Sequence, residues 1–472
     1  MSLFFKKFLG FSMGPIVGSF ISFITIPLST YFISPDEYGK GTMFTLFQSL
    51  IITFLYLGLD QSYTREYHET KDKESLLKNA MLLPLILSLV VFILICLNLN
   101  FFSKVLFGSP DFTLATILFG LTINLLVLER FILLSIRMEE KAFEYSILNI
   151  LLKLGVLIST IIFVLFIRRD FLAVVYSTVY GQVIADLYLI FRYRNLINYR
   201  FFHINISLIK KMIKFGTPLV ISSILFSLLQ TLDRIYLRLL SDFYEIGLFT
   251  AALKISNLLL IIQTSFVTFW VPTAYRWYSQ NKEIKYYEFI SRVVLLFMSL
   301  LLCIILLCKE YITILLGHEY TDIKYIIGFL CLYPIMYTLS ETTTLGITFS
   351  RKSYYNLWVS FLALIPNMFL NYLLIPSYGA IGAAIATGTS YILFFIARSY
   401  FSNKLWEGFK TKIHITVSAT LFTMSFINTQ DFNHINFINI LFTVIIILIQ
   451  TPTIKKLVKI YKGKEKEEWN FS

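Results

Sequence analysis

The chain has 472 residues and a net charge of +13; 57% of the residues are hydrophobic, only 15% are charged, and the mean hydropathy is +0.73. Soluble globular proteins carry about 25% charged residues, so this composition excludes a string of soluble domains and indicates a polytopic membrane protein. The positive charge would suggest nucleic acid in a soluble protein, but here it follows from membrane topology, and no nucleic acid partner is expected.

About 14 apolar segments approach the ~20 residues that a helix needs to cross a bilayer, which predicts an all-α polytopic membrane protein. No linker between them exceeds about two dozen residues, so there is no room for a soluble catalytic domain. In chain order the predicted spans are 12–33, 41–60, 79–98, 112–134, 145–167, 171–191, 215–237, 247–270, 289–308, 323–349, 356–375, 379–397, 413–427 and 436–452.

The basic residues are distributed very unevenly between the two sides of the predicted membrane. With the N-terminus inside, about 30 Lys and Arg residues fall in inner segments and about 7 in outer ones, as the positive-inside rule requires. The pair Arg168 and Arg169 is the one outer cluster that opposes the rule. We therefore expect an even number of spans and both termini in the cytoplasm.

The chain reads as two halves. The pattern of 11–39 recurs about 204 residues later in the stretch that begins at Phe215, and both copies end at a loop with tyrosine and glycine. Six spans return the chain to its starting side, so the repeats should be parallel, with a cavity between them. We predict an N-terminal six-helix lobe at 1–200, a second at 201–410, and two additional apolar helices with a basic cytoplasmic tail at 411–472.

Ionisable groups inside the spans are informative because each costs about 2.5–3.5 kcal/mol at mid-membrane. One interpretation is a cationic, water-filled cavity that binds an anionic group. In the other, Asp233, Arg234, Lys254 and Glu341 neutralise one another and Arg130 extends to the interface. The residues predicted to bind substrate are Arg234, Lys254, Lys153, Arg130 and Gln230.

Buried carboxylates are the candidates for coupling to protons or sodium, although such a group also serves as a structural partner. These candidates are Asp186, Asp233 and Glu341. Asp186 has Gln182 at i,i−4 on the same helix face. No organic cofactor or metal centre is predicted, since the four cysteines are scattered and none forms a CxxC motif.

Prolines within spans free backbone carbonyls and bend helices. Pro27, Pro218 and Pro334 are predicted hinges, whereas Pro272 and Pro376 are interpreted as helix ends. The motifs of nucleotide hydrolases and zinc proteases are absent: the chain has no GxxxxGK[ST] or HExxH sequence. We therefore predict a protein that is not an enzyme and does not itself hydrolyse ATP.

Three stretches, 34–67 (SPDEYGKGTMFTLFQSL…), 214–255 (KFGTPLVISSILFSLLQTLDRIYLRLLS…) and 371–395 (NYLLIPSYGAIGAAIATGTSYILFF), resemble the polysaccharide-repeat-unit flippases of the Wzx type. These O-antigen or capsule exporters share a superfamily with the MATE multidrug exporters and the lipid II flippases. The resemblance extends over essentially the whole chain, in order.

The resemblance implies transfer of an undecaprenyl-diphosphate-linked oligosaccharide from the inner to the outer leaflet of the bacterial cytoplasmic membrane, by alternating access. It implies a cationic lumen for the diphosphate, and Asp233 and Arg234 fall on the family's Asp-Arg position in span 7. It further implies a monomer in contact with membrane lipids, working with a polysaccharide polymerase and a chain-length regulator.

Three other functions compete with this expectation. A lipid II flippase would show the same pattern and would differ in its depletion phenotype. A cation-coupled MATE drug exporter should have a cavity dominated by acidic groups, whereas cations dominate here. A membrane-embedded glycan polymerase is the weakest alternative, because it needs a large outer loop with catalytic residues.

Overall fold

The computed structural model describes residues 3–67, 69–197, 203–350, 352 and 354–462, and the regular structure in these ranges is helical throughout. The chain forms two compact units, the first ending at Thr231 and the second beginning at Leu232. The boundary lies within one long helix, Ile206–Leu240.

The first unit is built from membrane-length helices joined by short connectors. The α1–α7, α7–α8 and α4–α6 pairs pack most extensively. Its elements are α1 (Leu3–Phe32), α2 (Pro35–Leu55), α3 (Leu59–Glu66), α4 (Lys73–Leu97), α5 (Leu99–Phe107), α6 (Thr113–Met138), α7 (Ala142–Ile162, continued by a π-helical turn, Phe163–Ile167), α8 (Phe171–Arg192), α9 (Arg194–Ile197) and the start of α10 (Ile206–Leu240).

Local chemistry sets where these helices begin and how closely they approach. The Asp72 carboxylate accepts a hydrogen bond from the Ser75 amide at 2.9 Å and so caps α4. The contact between α7 and α8 has no room for side chains at its centre, because a Cβ on Gly181 would lie 2.5 Å from the Val156 Cα atom. Small residues permit such close backbone approach between membrane helices.

The second unit is organised around α15, which packs against α11, α12, α13, α17 and α18; 83% of its apolar window is buried inside the protein. Its elements are α11 (Phe243–Ser256), α12 (Leu259–Ser279), α13 (Ile284–Leu307), α14 (Lys309–Leu316), a 3-10 turn (His318–Tyr320), α15 (Ile323–Thr343), α16 (Leu345–Phe349), α17 (Tyr355–Leu405), α18 (Lys412–Ile427), α19 (Ile435–Ile449) and α20 (Thr451–Tyr461).

The 51-residue helix α17 is two rods joined at Gly379, whose φ of 51° and ψ of −129° are not helical. A Cβ at this position would lie 2.5 Å from the Glu245 carboxyl carbon, which is the end of a flexible side chain, so it is the backbone conformation that requires glycine. The break confirms the predicted span boundary at 375–379. Interpreting Pro272 as a helix end is wrong, since it lies inside α12.

Among the described residues, eight helices are long and apolar enough to cross a membrane, or ten if each of two bent helix pairs counts as one span. The bent pairs are α2 with α3, at 53°, and α19 with α20, at 60°. Large apolar side chains such as Phe437, Leu441 and Leu448 on α19 are exposed on the surface of the protein. The chain is therefore a multi-pass membrane protein, since water is a poor solvent for such a surface.

The two C-terminal helices are more than the plain apolar addition expected from the sequence. Lys309, only 2% exposed, donates to the Asn428 side-chain oxygen at 2.8 Å, and Asn428 donates to Asn439 at 2.7 Å. The Gln450 amide also donates to the Ser299 hydroxyl at 2.9 Å. These polar contacts attach α18 and α19 to α13 and α14.

Candidate substrate and ion sites

Arg130, on α6, forms an ion pair with a carboxylate that the sequence analysis did not single out. Its Nη2 atom lies 2.8 Å from Asp60 Oδ2, with the Arg130 side chain 46% and the Asp60 side chain 7% exposed. Asp60 is held there because the chain bends between α2 and α3 at Leu57 and Gly58, which both have positive φ. The guanidinium therefore has one side on a buried anion and the other open.

A cavity of about 200 Å³ opens beside this pair in the first unit. Its volume accommodates several waters, each of which occupies about 30 Å³ in the liquid. Two arginines, an amide and one carboxylate line it, and the two arginines are suited to an anionic group such as phosphate. The lining residues are Tyr56, Leu126, Glu129, Arg130, Leu133, Leu134, Arg137, Tyr145 and Asn149. We call this space the Arg130 pocket.

Arg137 lies just beyond the predicted span 112–134, yet it lines the Arg130 pocket from the last turn of α6. The sequence contained a signal for this, because Arg130 and Arg137 are seven residues apart and so share one helix face. In the loop that follows, Glu139 lies 2.6 Å from Lys141 Nζ and its hydrogen bond raises the pKa of Lys141. Lys141 thus stays charged just outside the membrane-spanning part of α7.

An acidic cluster adjoins the pocket on its α8 side. The Gln182 amide nitrogen donates to the Glu129 carboxylate and also to Asp186 Oδ2, the latter at 2.9 Å. The predicted helical pairing of Gln182 with Asp186 is therefore confirmed. Lys153 is exposed on α7 and interacts electrostatically with Glu129. Glu129 belongs both to this cluster and to the lining of the Arg130 pocket.

Asp233 is held by three neutral donors in the second unit. It is 2% exposed and accepts hydrogen bonds from Asn367 at 3.0 Å, Asn371 at 2.7 Å and Thr387 at 2.9 Å. The donors come from both rods of α17, so the break at Gly379 brings them around one carboxylate. Among the described residues, the Asn371 side-chain oxygen is buried and has no hydrogen-bond partner. We call these four residues the Asp233 cage.

Glu341 forms an ion pair with Arg398 at 2.8 Å, and both side chains are largely buried. Glu341 therefore has a basic partner on α17 that the sequence analysis did not name. Arg398 directly follows the predicted span 379–397, so it was not among the ionisable residues counted inside spans. The ion pair borders a smaller cavity of about 70 Å³.

The remaining predicted binding residues lie on α10 and α11. Arg234 follows Asp233 and is half-buried, Gln230 precedes it by one turn and is partly exposed, and Lys254 is exposed near the end of α11. That these cations share one chamber with Arg130 and Lys153 stays a prediction.

Two of the three predicted hinge prolines lie inside continuous helices. Pro27 is within α1, and Pro334 is buried within α15, where the Thr338 hydroxyl donates to the Pro334 carbonyl at 2.6 Å. This is the usual bond of a helical threonine to the residue one turn earlier, whereas the carbonyl that loses its donor to the missing proline N–H is that of Leu330. The side chain of Pro218 lies outside the described residues.

A family model described as "Polysaccharide biosynthesis protein" matches residues 4–277, more than half of the chain. The chain belongs to this family. One curated relative of this family member is "Capsular polysaccharide biosynthesis protein CapF" of Staphylococcus aureus, 24% identical over 241 residues. The match covers 50% of this chain and 60% of the relative, so the chain spans less than two thirds of that protein.

Solved structures share the fold. The "Lipid II flippase MurJ, inward closed conformation" superposes with a TM-score of 0.71 at 15% identity, covering 96% of this chain and 99% of that one. An inward-facing MATE multidrug transporter gives a TM-score of 0.64 at 15% identity, covering 85% of this chain and 95% of that one. An outward-facing MATE transporter gives a TM-score of 0.57 at 14% identity, covering 88% of this chain and 96% of that one. The family match confirms the resemblance to polysaccharide biosynthesis proteins, and the solved structures, which are transport proteins by name, show that the chain shares their fold.

Proposed function

We propose that the protein is a flippase that moves an undecaprenyl-diphosphate-linked oligosaccharide repeat unit from the inner to the outer leaflet by alternating access. The observation that carries this proposal is the polysaccharide biosynthesis family match, on a fold shared with a lipid-linked-precursor flippase. The relative named for capsular polysaccharide supports a surface glycan as the product.

The physical problem explains why cations belong inside such a protein. A diphosphate that enters hydrocarbon loses its hydration. The free-energy cost is large, because lipid offers no polar groups that replace the lost water. A hydrated path with positive side chains replaces that lost solvation. We assign Arg130, Lys153 and Arg137 to the inner part of this path, and Gln230, Arg234 and Lys254 to its outer part.

The topology of the proposal has about 14 spans. These are the eight long helices, the two bent pairs and the two shorter apolar helices, with α17 counted as two spans and α10 added. An even number leaves both termini on one side, and the Lys and Arg bias makes that side the cytoplasm. The lobes would be 1–200 and 201–410, followed by the addition at 411–472.

Ion coupling is assigned first to the Asp233 cage. A carboxylate with two side-chain amides and a hydroxyl supplies the oxygen ligands that a hard cation such as sodium prefers, once the amides rotate to present their oxygens. The Glu341–Arg398 pair makes Glu341 the weaker candidate. Pro27, Pro218 and Pro334 are kept as the proposed bending points.

The proposed setting is the cytoplasmic membrane of a bacterium, with the protein acting as a monomer among membrane lipids. A polymerase and a chain-length regulator would consume the flipped repeat unit. Lipid II transport is the second candidate, favoured by the TM-score of 0.71 with the lipid II flippase. A cation-coupled MATE-type drug exporter has the weaker fold likeness, with TM-scores of 0.64 or less.

The test is deletion of the gene, followed by complementation. A repeat-unit flippase predicts viable cells that lose surface glycan and accumulate lipid-linked repeat units inside, whereas a lipid II flippase predicts lysis. Complementation with Arg130→Ala should restore less than a tenth of the glycan at equal protein level. The matched control is Arg192→Ala, an exposed arginine at the end of α8, which should restore it fully. Full export by Arg130→Ala would remove Arg130 from the substrate path.

A further inference from the structure

The cluster of Glu129, Gln182 and Asp186 has a chemistry that substrate binding alone does not use. One amide nitrogen serves two carboxylates on different helices, α6 and α8. Asp186 is 1% exposed, and its second oxygen, Oδ1, is buried without a hydrogen-bond partner among the described residues. A buried carboxylate oxygen without a donor is in an environment that fits a protonated carboxyl better than an anion.

Two neighbouring cations, Lys153 and Arg130, act electrostatically on Glu129. Arg130, on α6, already faces Asp60 of α3, its ion-pair partner at 2.8 Å. Lys153 of α7 acts on Glu129 from an exposed position. The α2 side contributes Tyr56, whose hydroxyl donates to the Leu126 carbonyl at 3.4 Å. The acidic residue at the start of α2, Glu37, lies at the opposite end of α8, where it accepts from the Phe171 amide.

Two carboxylates that share one donor repel each other when both are ionised. In a buried site this repulsion is relieved when the pair takes up a single proton, which then belongs to both residues. Gln182 can hold either arrangement, because its two amide hydrogens remain available to both partners. The cluster is therefore built to exchange one proton without moving a helix.

We propose that Glu129 and Asp186, bridged by Gln182, form a proton-binding site whose occupancy is coupled to anion binding in the Arg130 pocket. This inference rests on the proposed function, which makes the anion a lipid-linked diphosphate. Glu129 lines the pocket, so an anion bound beside Arg130 adds negative charge next to the cluster and favours proton uptake. Because linkage is reciprocal, protonation of the cluster tightens anion binding, and loss of the proton promotes release.

The first experiment is infrared spectroscopy of the purified protein in detergent, from about pH 5 to about pH 9, a range that spans the titration of buried carboxyl pairs. The wild type should show a protonated carboxyl C=O band that vanishes as the pH rises. Asp186→Asn and Glu129→Gln should each lack that titrating band. The control Glu144→Gln removes a carboxylate from α7 that is paired with Arg192 at 3.8 Å and should keep the band. A band unchanged in both cluster variants would overturn the proposal.

The second experiment measures the coupling. Calorimetric titration of the wild type with undecaprenyl diphosphate, in buffers of different ionisation enthalpy, should show uptake of about one proton per ligand. The affinity should fall about tenfold per pH unit above the midpoint of the infrared titration. In Asp186→Asn both effects should be lost, whereas Glu144→Gln should retain them. Inorganic pyrophosphate, tested in parallel, reveals whether the headgroup alone suffices.

The outcomes separate the two proposals. Binding of undecaprenyl diphosphate with no proton exchange would overturn the coupled site and leave the flippase function standing. Failure of the wild type to bind either diphosphate would overturn the proposed function, while the infrared titration would still judge the carboxyl pair. Should Asp186→Asn not fold, Glu129→Gln carries the same two predictions, because it removes the other member of the pair.

Discussion

At the scale of single residues, the two ion pairs at the candidate sites each join two different helices. Asp60 on α3 meets Arg130 on α6, and Glu341 on α15 meets Arg398 on α17. Asp233 instead meets neutral donors. Removing one member of a buried pair therefore leaves a charge that neither lipid nor protein solvates.

The Asp60–Arg130 pair allows structural and substrate roles of Arg130 to be separated. Arg130→Ala should destabilise the protein by about 1–3 kcal/mol, because the carboxylate of Asp60 loses its donor. The double variant Asp60→Asn with Arg130→Ala should recover most of this stability without recovering glycan export. Thermal unfolding in detergent measures the first effect and surface glycan the second. Recovery of both would show that Arg130 serves folding alone.

The Asp233 cage predicts a stabilising ion. At a sodium concentration 100-fold above the dissociation constant, a single bound ion adds about 2.7 kcal/mol to stability. Wild-type protein should therefore melt at higher temperature in sodium than in choline chloride, and Asp233→Asn should melt equally in both. The control Asp36→Asn changes an exposed carboxylate at the start of α2 and should keep the difference. Identical melting of the wild type in both salts would exclude sodium at this site.

At the scale of elements, breaks in helices position the side chains of both candidate sites. The bend between α2 and α3 presents Asp60 to Arg130, and the break in α17 gathers Asn367, Asn371 and Thr387 at Asp233. Each break is made by a residue with positive φ, Gly58 at 68° and Gly379 at 51°. A straight α2–α3 would take the acceptor Asp60 away from Arg130, and a straight α17 would take the donors of its two rods away from one another.

Gly379→Ala should therefore destabilise the second unit by about 1–3 kcal/mol, because alanine is strained at positive φ and its Cβ meets the Glu245 carboxyl. The matched control is Gly328→Ala on α15, where the φ is ordinary and the nearest atom, at 3.1 Å, is the end of a leucine side chain. Gly328→Ala should lower the free energy of unfolding by less than about 1 kcal/mol. Thermal unfolding of both variants measures the difference, and equal losses would contradict the assigned role of Gly379.

The C-terminal helices offer a second test at this scale. Asn428→Ala removes the acceptor of the buried Lys309 ammonium and the donor to Asn439, so α18 and α19 should loosen from the unit. Limited proteolysis in the loop between α18 and α19 should become several-fold faster than in the wild type. Thr429→Ala, at the neighbouring partly exposed position, is the control and should be cut at the wild-type rate. No change in Asn428→Ala would mean that apolar contacts alone hold these helices.

At the scale of the whole molecule, the topology follows from charge and can be tested without a ligand. A reporter that is active only in the cytoplasm should be active when fused after the C-terminal tail, and inactive when fused in the predicted outer segment near Lys324. Replacing the basic residues of 192–214, a dense predicted inner cluster, with glutamine should weaken this preference. An active reporter at the outer position would overturn the proposed orientation.

The sequence by itself determined that lipid surrounds this protein and hence that it is an α-helical membrane protein. Long apolar segments can only be helices in lipid, where each backbone group needs a partner within its own segment. Even the break near Gly379 was visible, because a glycine after a proline interrupts an apolar run. The family resemblance was also recognisable from the sequence, because its motifs lie at loops and helix starts, where particular residue types are required.

Only the tertiary structure decided which charges meet. Asp60 and Arg130 are separated by 70 residues, and Asp233 and Thr387 by 154, so no periodicity along one helix links them. An ionisable residue in an apolar segment indicates that it needs a partner, because an unpaired charge in lipid has a high free energy. Its partner is chosen by how helices pack and where they break, and that information lies in the fold.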